Sequence, residues 1–180
     1  MQSLCAGWDV RTVTAHLVAA TDPALAPFLL AVLRARGDLH RANDDLARQL
    51  GRRPTGELVD QLRLRAGSRT SPPVLGPRGP LTDVLVHTGD LSRPLGLPHR
   101  AADPAVRHAL DFLVHGRPVG FVRRGRLSGL RLVAVDLGST WGEGADVVGA
   151  GVDLMMAACG RDPVPGSLDG PGARLLAARS

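Results

Sequence analysis

Asp83 and His87 stand four residues apart in the stretch Leu81 to Leu97, LTDVLVHTGDLSRPLGL. No other feature constrains the chain as much. On a helix this spacing puts both side chains on one face, one turn apart. Asp90 follows three residues later, near the same face. Leu81, Val84, Leu85 and Leu91 supply an apolar stripe beside the polar one. Pro94 cannot continue the backbone ladder and Gly96 suits an exit, so the helix is expected to stop there. A carboxylate and an imidazole on one face can share a divalent metal. Alone, such a pair is more often a solvated polar face with one histidine in it. A third ligand from elsewhere in the chain has to be found.

The upstream sequence offers one. Trp8 to Ala20 reads WDVRTVTAHLVAA, with Asp9 as N-cap and Val10, Val13, Leu17 and Ala20 at helical spacing. His16 lies beside that stripe, where a lone histidine is ordinarily bonded to a backbone carbonyl. Asp22-Pro23 is expected to open a long amphipathic helix carrying Leu25, Phe28, Leu29, Val32, Leu33, Leu39, Leu46 and Leu50, bent at Gly37 and ending at Gly51. His40 falls among charged residues and reads as exposed. Thr55 is expected to cap a short helix to Ala66. The Pro/Gly-rich run from Gly67 to Pro80 is a connector. Asp103-Pro104 opens a further helix to His115.

Beyond residue 116 the texture changes. Val119 to Arg124 and Leu130 to Asp136 are expected as strands about a turn at Gly125 to Gly129, with a third at Ala145 to Val148. A helix ending at Cys159 and Gly160 and a last short helix within Leu168 to Ser180 complete the reading. The fold class is α+β: a mainly helical part over residues 1–116, then a small α+β part over residues 117–180. Gly142-Glu143-Gly144 lacks the third glycine and preceding strand of a dinucleotide loop. There is no P-loop, and no serine has a nucleophile-elbow context.

Composition excludes several function classes. The net charge is +5 and every basic residue is arginine. The arginines are spread along the chain, and aromatic residues for stacking bases are scarce, so nucleic acid is not the expected partner. No apolar run approaches the ~20 residues of a membrane span, and no export signal precedes the first helix. Cys5 and Cys159 form no disulfide framework, so a cytoplasmic protein is expected.

Three stretches together resemble one family. LCAGWDVRTVTAHL, Leu4 to Leu17, is similar to the CxGWxVxDVxAHL segment of the mycothiol-dependent maleylpyruvate isomerase family. VLVHTGDLSRPLGLP, Val84 to Pro98, resembles its second signature, a histidine followed by DxRRPLG. The glycine-rich tail from Leu130 onward resembles the C-terminal region of actinobacterial members. This family belongs to the DinB-like superfamily of metal-binding four-helix bundles.

The resemblance implies a divalent metal, zinc foremost, held by His16, Asp83 and His87 with an open position for water or substrate. The middle ligand of the family's isomerase is a glutamate, so Asp83 is one methylene shorter. It further implies mycothiol as thiol cosubstrate and a small electrophilic substrate: the thiolate adds to a conjugated double bond, the bond rotates and the thiol leaves. Asp90 would hydrogen-bond a ligand histidine. Arg93 and Arg161 are the candidates for holding a dicarboxylate. Family members carry a further first helix before the CxGW segment. With Cys5 so near Met1, an uncovered apolar groove and a homodimer are expected. The alternative function is a non-catalytic metal-binding bundle that acts through partner binding.

Overall fold

The computed structural model describes residues 1–24, 26–69, 71 and 75–179. Leu25 of the long apolar series, part of the connector (Thr70, Pro72, Pro73 and Val74) and Ser180 lie outside the described residues. Two compact units emerge, and each draws on two stretches of sequence. One comprises Met1–Ser71 with Asp90–Leu97, and the other Pro72–Gly89 with Pro98–Ser180. The fold is α+β and mainly helical, as the sequence leads one to expect.

The first unit begins with α1, Val10–Ala20, capped by Asp9, whose side chain accepts from the Thr12 amide. The expected single helix from residue 22 to residue 51 is instead two, α2 (Ala26–Arg34) and α3 (Leu39–Leu50). Arg36 and Gly37 both take positive φ, +54° and +89°, which ends α2. Asp38 then caps α3 by accepting from the Arg41 amide at 3.0 Å. Asp22 starts no helix; its carboxylate accepts from the Ala24 amide instead. Helix α4, Thr55–Leu64, has Pro54 at its cap position, and Thr55 is its first helical residue. His40 is exposed. Ala15, Val18 and Leu58 form the apolar centre, with Leu50 and Leu62 against it.

Helix α5, Arg78–Ser92, is continuous and contributes to both units. The second unit adds α6 (Asp103–His115), strands β1 (Leu130–Ala134), β2 (Ser139–Gly142) and β3 (Ala145–Gly149), α7 (Gly151–Ala158), β4 (Leu168–Asp169) and α8 (Pro171–Ala177). The strand expected over residues 119–124 is absent: this segment is a series of turns, with Val119 56 % exposed. Its β-branched residues have no ladder to join, and strand propensity without a partner is a weak force.

The sheet runs β2-β1-β3-β4, with β1 parallel to β3 and antiparallel to β2. Parallel neighbours ordinarily need a crossover of a dozen or more residues. Here β2 provides the return, and Glu143 and Gly144 alone carry the chain past the start of β1. Gly144 crosses so close to Gly129 that a Cβ on it would lie 2.1 Å from the Gly129 carbonyl oxygen. Its φ of +127° is open to glycine only. One sheet face buries Leu132, Trp141 and Val147, which face each other across the strands. The core continues through Leu110, Leu113, Leu154, Met155 and Met156 of α6 and α7.

Candidate metal centre

Helix α5 is set by its packing. Val86 is buried in the core of the second unit. Gly89 lies so close to Met156 and His99 that a Cβ there would fall within 2.8 Å of both. A glycine in mid-helix costs about 1 kcal/mol of propensity, and here that close approach explains it. His99 is itself fixed, with Nε2 bonded to the Leu85 carbonyl at 3.0 Å. With α5 so held, Asp83 and His87 present their side chains on one face, His87 Nε2 lying 3.5 Å from Asp83 Oδ1. Their side chains are only 11 % and 17 % exposed for His87 and Asp83 respectively.

That separation bears on the metal. It exceeds the 2.7–3.2 Å of an N–H···O hydrogen bond. Two ligands at ~2.0–2.2 Å from one tetrahedral ion stand roughly 3.3–3.6 Å apart. The pair therefore fits two corners of a tetrahedron as it stands. Neutral imidazole and carboxylate are also the donor types that zinc takes.

In the first unit, His16 on α1 is buried, with the Trp8 indole 5.1 Å away, ring centre to ring centre, and tilted by 50°. Trp8 is in turn anchored, its Nε1 donating to Asp44 Oδ1 at 2.6 Å. Arg48 donates from Nε to both Asp44 oxygens at 2.9 Å and from Nη2 to the Gly7 carbonyl. The Arg48 guanidinium, with Trp8 adding to it, holds the Asp44 carboxyl below the usual carboxylate value. Asp90 is fully buried. Its Oδ2 accepts from Cys5 Sγ at 2.9 Å, and its backbone carbonyl accepts from the Leu4 amide.

Each unit holds a pair of ligand-type side chains, Asp83 with His87 on α5 in the second and Cys5 with Asp90 in the first, where His16 is a further one. The protein thus has His, Asp and Cys side chains positioned to hold a metal ion. Asp90, expected beside a ligand histidine, is bonded to a thiol that the reading by sequence left without a role. Cys5 was visible all the same, two residues from the glycine of the CxGW segment. The Trp8–Asp44 bond had no signal, because its partners are 36 residues apart in sequence. Arg93 is half-buried just beyond the end of α5. Arg161 donates to the Cys159 carbonyl at 2.9 Å, at the C-terminal end of α7, where carbonyls lack helical partners.

No helix among the described residues is long and apolar enough to cross a membrane. Comparison with family models, curated proteins and solved structures returns no match for this chain.

Proposed function

We propose that the chain is a divalent-metal protein, with His16, Asp83 and His87 as ligands, that activates a thiol for attack on a small electrophile. The observation that carries this reading is the Asp83–His87 pair, buried on one helix face at the spacing two ligands of one ion require. The resemblance of Leu4 to Leu17 and Val84 to Pro98 to the mycothiol-dependent maleylpyruvate isomerase family supports the thiol and the electrophile. Three protein ligands leave an open position, the pattern of catalytic sites. When bound, such an ion lowers the pKa of a thiol at that position.

The chain's own residues have distinct tasks in this scheme. His16 is oriented by Trp8, and Asp83 and His87 by α5. Arg93 and Arg161 are the guanidinium groups available to a substrate carboxylate. Elemental analysis of protein purified without chelator is expected to give one divalent ion per chain, and His87→Ala to lose it. A metal-free wild type, or full occupancy in His87→Ala, overturns the reading. Turnover of an activated alkene should further require both the metal and an added low-molecular-weight thiol such as mycothiol.

One observation favours a second reading. Cys5 Sγ donates to the buried Asp90 carboxylate at 2.9 Å, which pairs two metal-ligand types in one place. If Cys5 also ligates, four protein ligands close the site, the pattern of a structural metal. Cys5→Ser separates the two. The catalytic reading expects metal content unchanged in this variant. Loss of the metal together with a large fall in thermal stability identifies the structural role.

A further inference from the structure

The first unit holds a groove of about 320 Å³ built by α1, α2 and α3. Val18 of α1, Phe28 and Ala31 of α2, and Leu46 and Leu50 of α3 supply its apolar lining. Its volume is at the lower end of the ~300–1,000 Å³ typical of small-molecule sites. Helix α2 has no buried residue, so the groove is open along that helix.

The charges along the groove decide what fits. Asp22 and Arg65 neutralise each other at 2.8 Å, and Arg65 is further fixed by donating to the Val18 carbonyl. Arg53 is paired with Glu57 at 2.8 Å. Asp45 lies 3.8 Å from Arg41. Arg34, in the last turn of α2, is the remaining lining charge, and no hydrogen bond or ion pair engages it among the described residues. A ligand that replaces water along Phe28, Leu46 and Leu50 and answers Arg34 needs an apolar body and one negative end. A second negative end would meet Asp22 or Asp45.

We propose that this groove binds a small monocarboxylic acid with an apolar chain, its carboxylate on Arg34. This site stands independently of the metal reading. A guanidinium–carboxylate contact is charge-assisted and the main source of preference for the acid, while chain burial supplies most of the affinity.

The test uses the whole 180-residue chain and three probes of equal chain length: decanoate, decanol and decanedioate, titrated by calorimetry or ligand-observed NMR. Decanoate is expected to bind saturably, one per chain. Decanol should bind about tenfold more weakly or worse, the fold-change of losing one charge-assisted hydrogen bond, and decanedioate should also be weaker. Arg34→Gln should bring decanoate down to the level of decanol, and Ala31→Phe should fill the groove and remove both. If Ala31→Phe fails to fold, Arg34→Gln suffices, because Arg34 is exposed and engaged by nothing that folding would miss. Absence of saturable decanoate binding, equal affinity for decanol, or binding unchanged in Arg34→Gln overturns the proposal. Metal content measured on the same samples keeps this result separate from that of the metal site.

Discussion

Two residues show how much a single side chain, or the lack of one, decides here. Gly144 crosses the backbone of Gly129 with no space for a Cβ and at a φ that only glycine accepts. Because the obstructing atoms are backbone, no rotamer change relieves the clash. Gly144→Ala is therefore expected to cost about 3 kcal/mol or more, read as a fall in the denaturation midpoint. Gly138→Ala serves as the control: it meets open space and bears only its φ of +58°. A smaller loss at Gly144 than at Gly138 would show the crossing to be looser than described.

Asp44 is the second residue. Its carboxyl is held down chiefly by Arg48 and then by Trp8. A carboxyl depressed in the folded state stabilises that state above its unfolded value, and the contribution is lost as pH falls through the folded value. The Trp8 indole N–H resonance is accordingly expected to stay constant down to about pH 4 and to move below it. Asp44→Asn should abolish that titration. A midpoint at or above the ordinary carboxylate value would contradict the Arg48 pairing.

Helices with local signals were readable from sequence. Asp9 before Val10 and Asp103-Pro104 before a 3.6-residue period mark α1 and α6 within a residue or two of where they start. Between α2 and α3 the sequence marked a bend at Gly37 but not a full break, because apolar spacing runs on through Leu33 and Leu39. What makes it a break is a positive φ at Arg36 as well as at Gly37, and an arginine side chain does not announce that. The two-helix arrangement predicts that Asp38 acts as a cap rather than a mid-helix residue. Asp38→Ala should cost about 1 kcal/mol, whereas in a continuous helix alanine would be neutral or favourable. Strands β1 and β3 were readable, the short β2 and β4 were missed although both have partners, and residues 119–124 were misjudged as a strand with no ladder to join. The candidate ligands His16, Asp83 and His87 were named from a motif and a spacing. Cys5 against Asp90 is a tertiary pairing 85 residues apart, which periodicity cannot show.

At the scale of the molecule, the two units differ in how much they bury. The second gathers Leu110, Leu132, Trp141, Leu154, Met155 and Met156 into one core. The first centres on Ala15, Val18 and Leu58, and its α2 buries no residue. Local opening follows buried apolar contact, so native-state hydrogen exchange should release α2 amides first and hold β1, β3 and α7 longest. Protection of α2 equal to that of β1 would mean that α2 is covered by something further.

The short crossing at Glu143 and Gly144 also has a kinetic consequence. Leu130 finds its parallel partner Ala145 only fifteen residues along the chain. A parallel pair normally waits on a long loop whose closure entropy must be met before any contact forms. Here the loop is already filled by β2, so the pairing is local in sequence. Residues 130–149 should therefore order early and act as the folding nucleus of their unit. Leu132→Ala is then expected to slow refolding more than it speeds unfolding, and stopped-flow measurement of both limbs decides it.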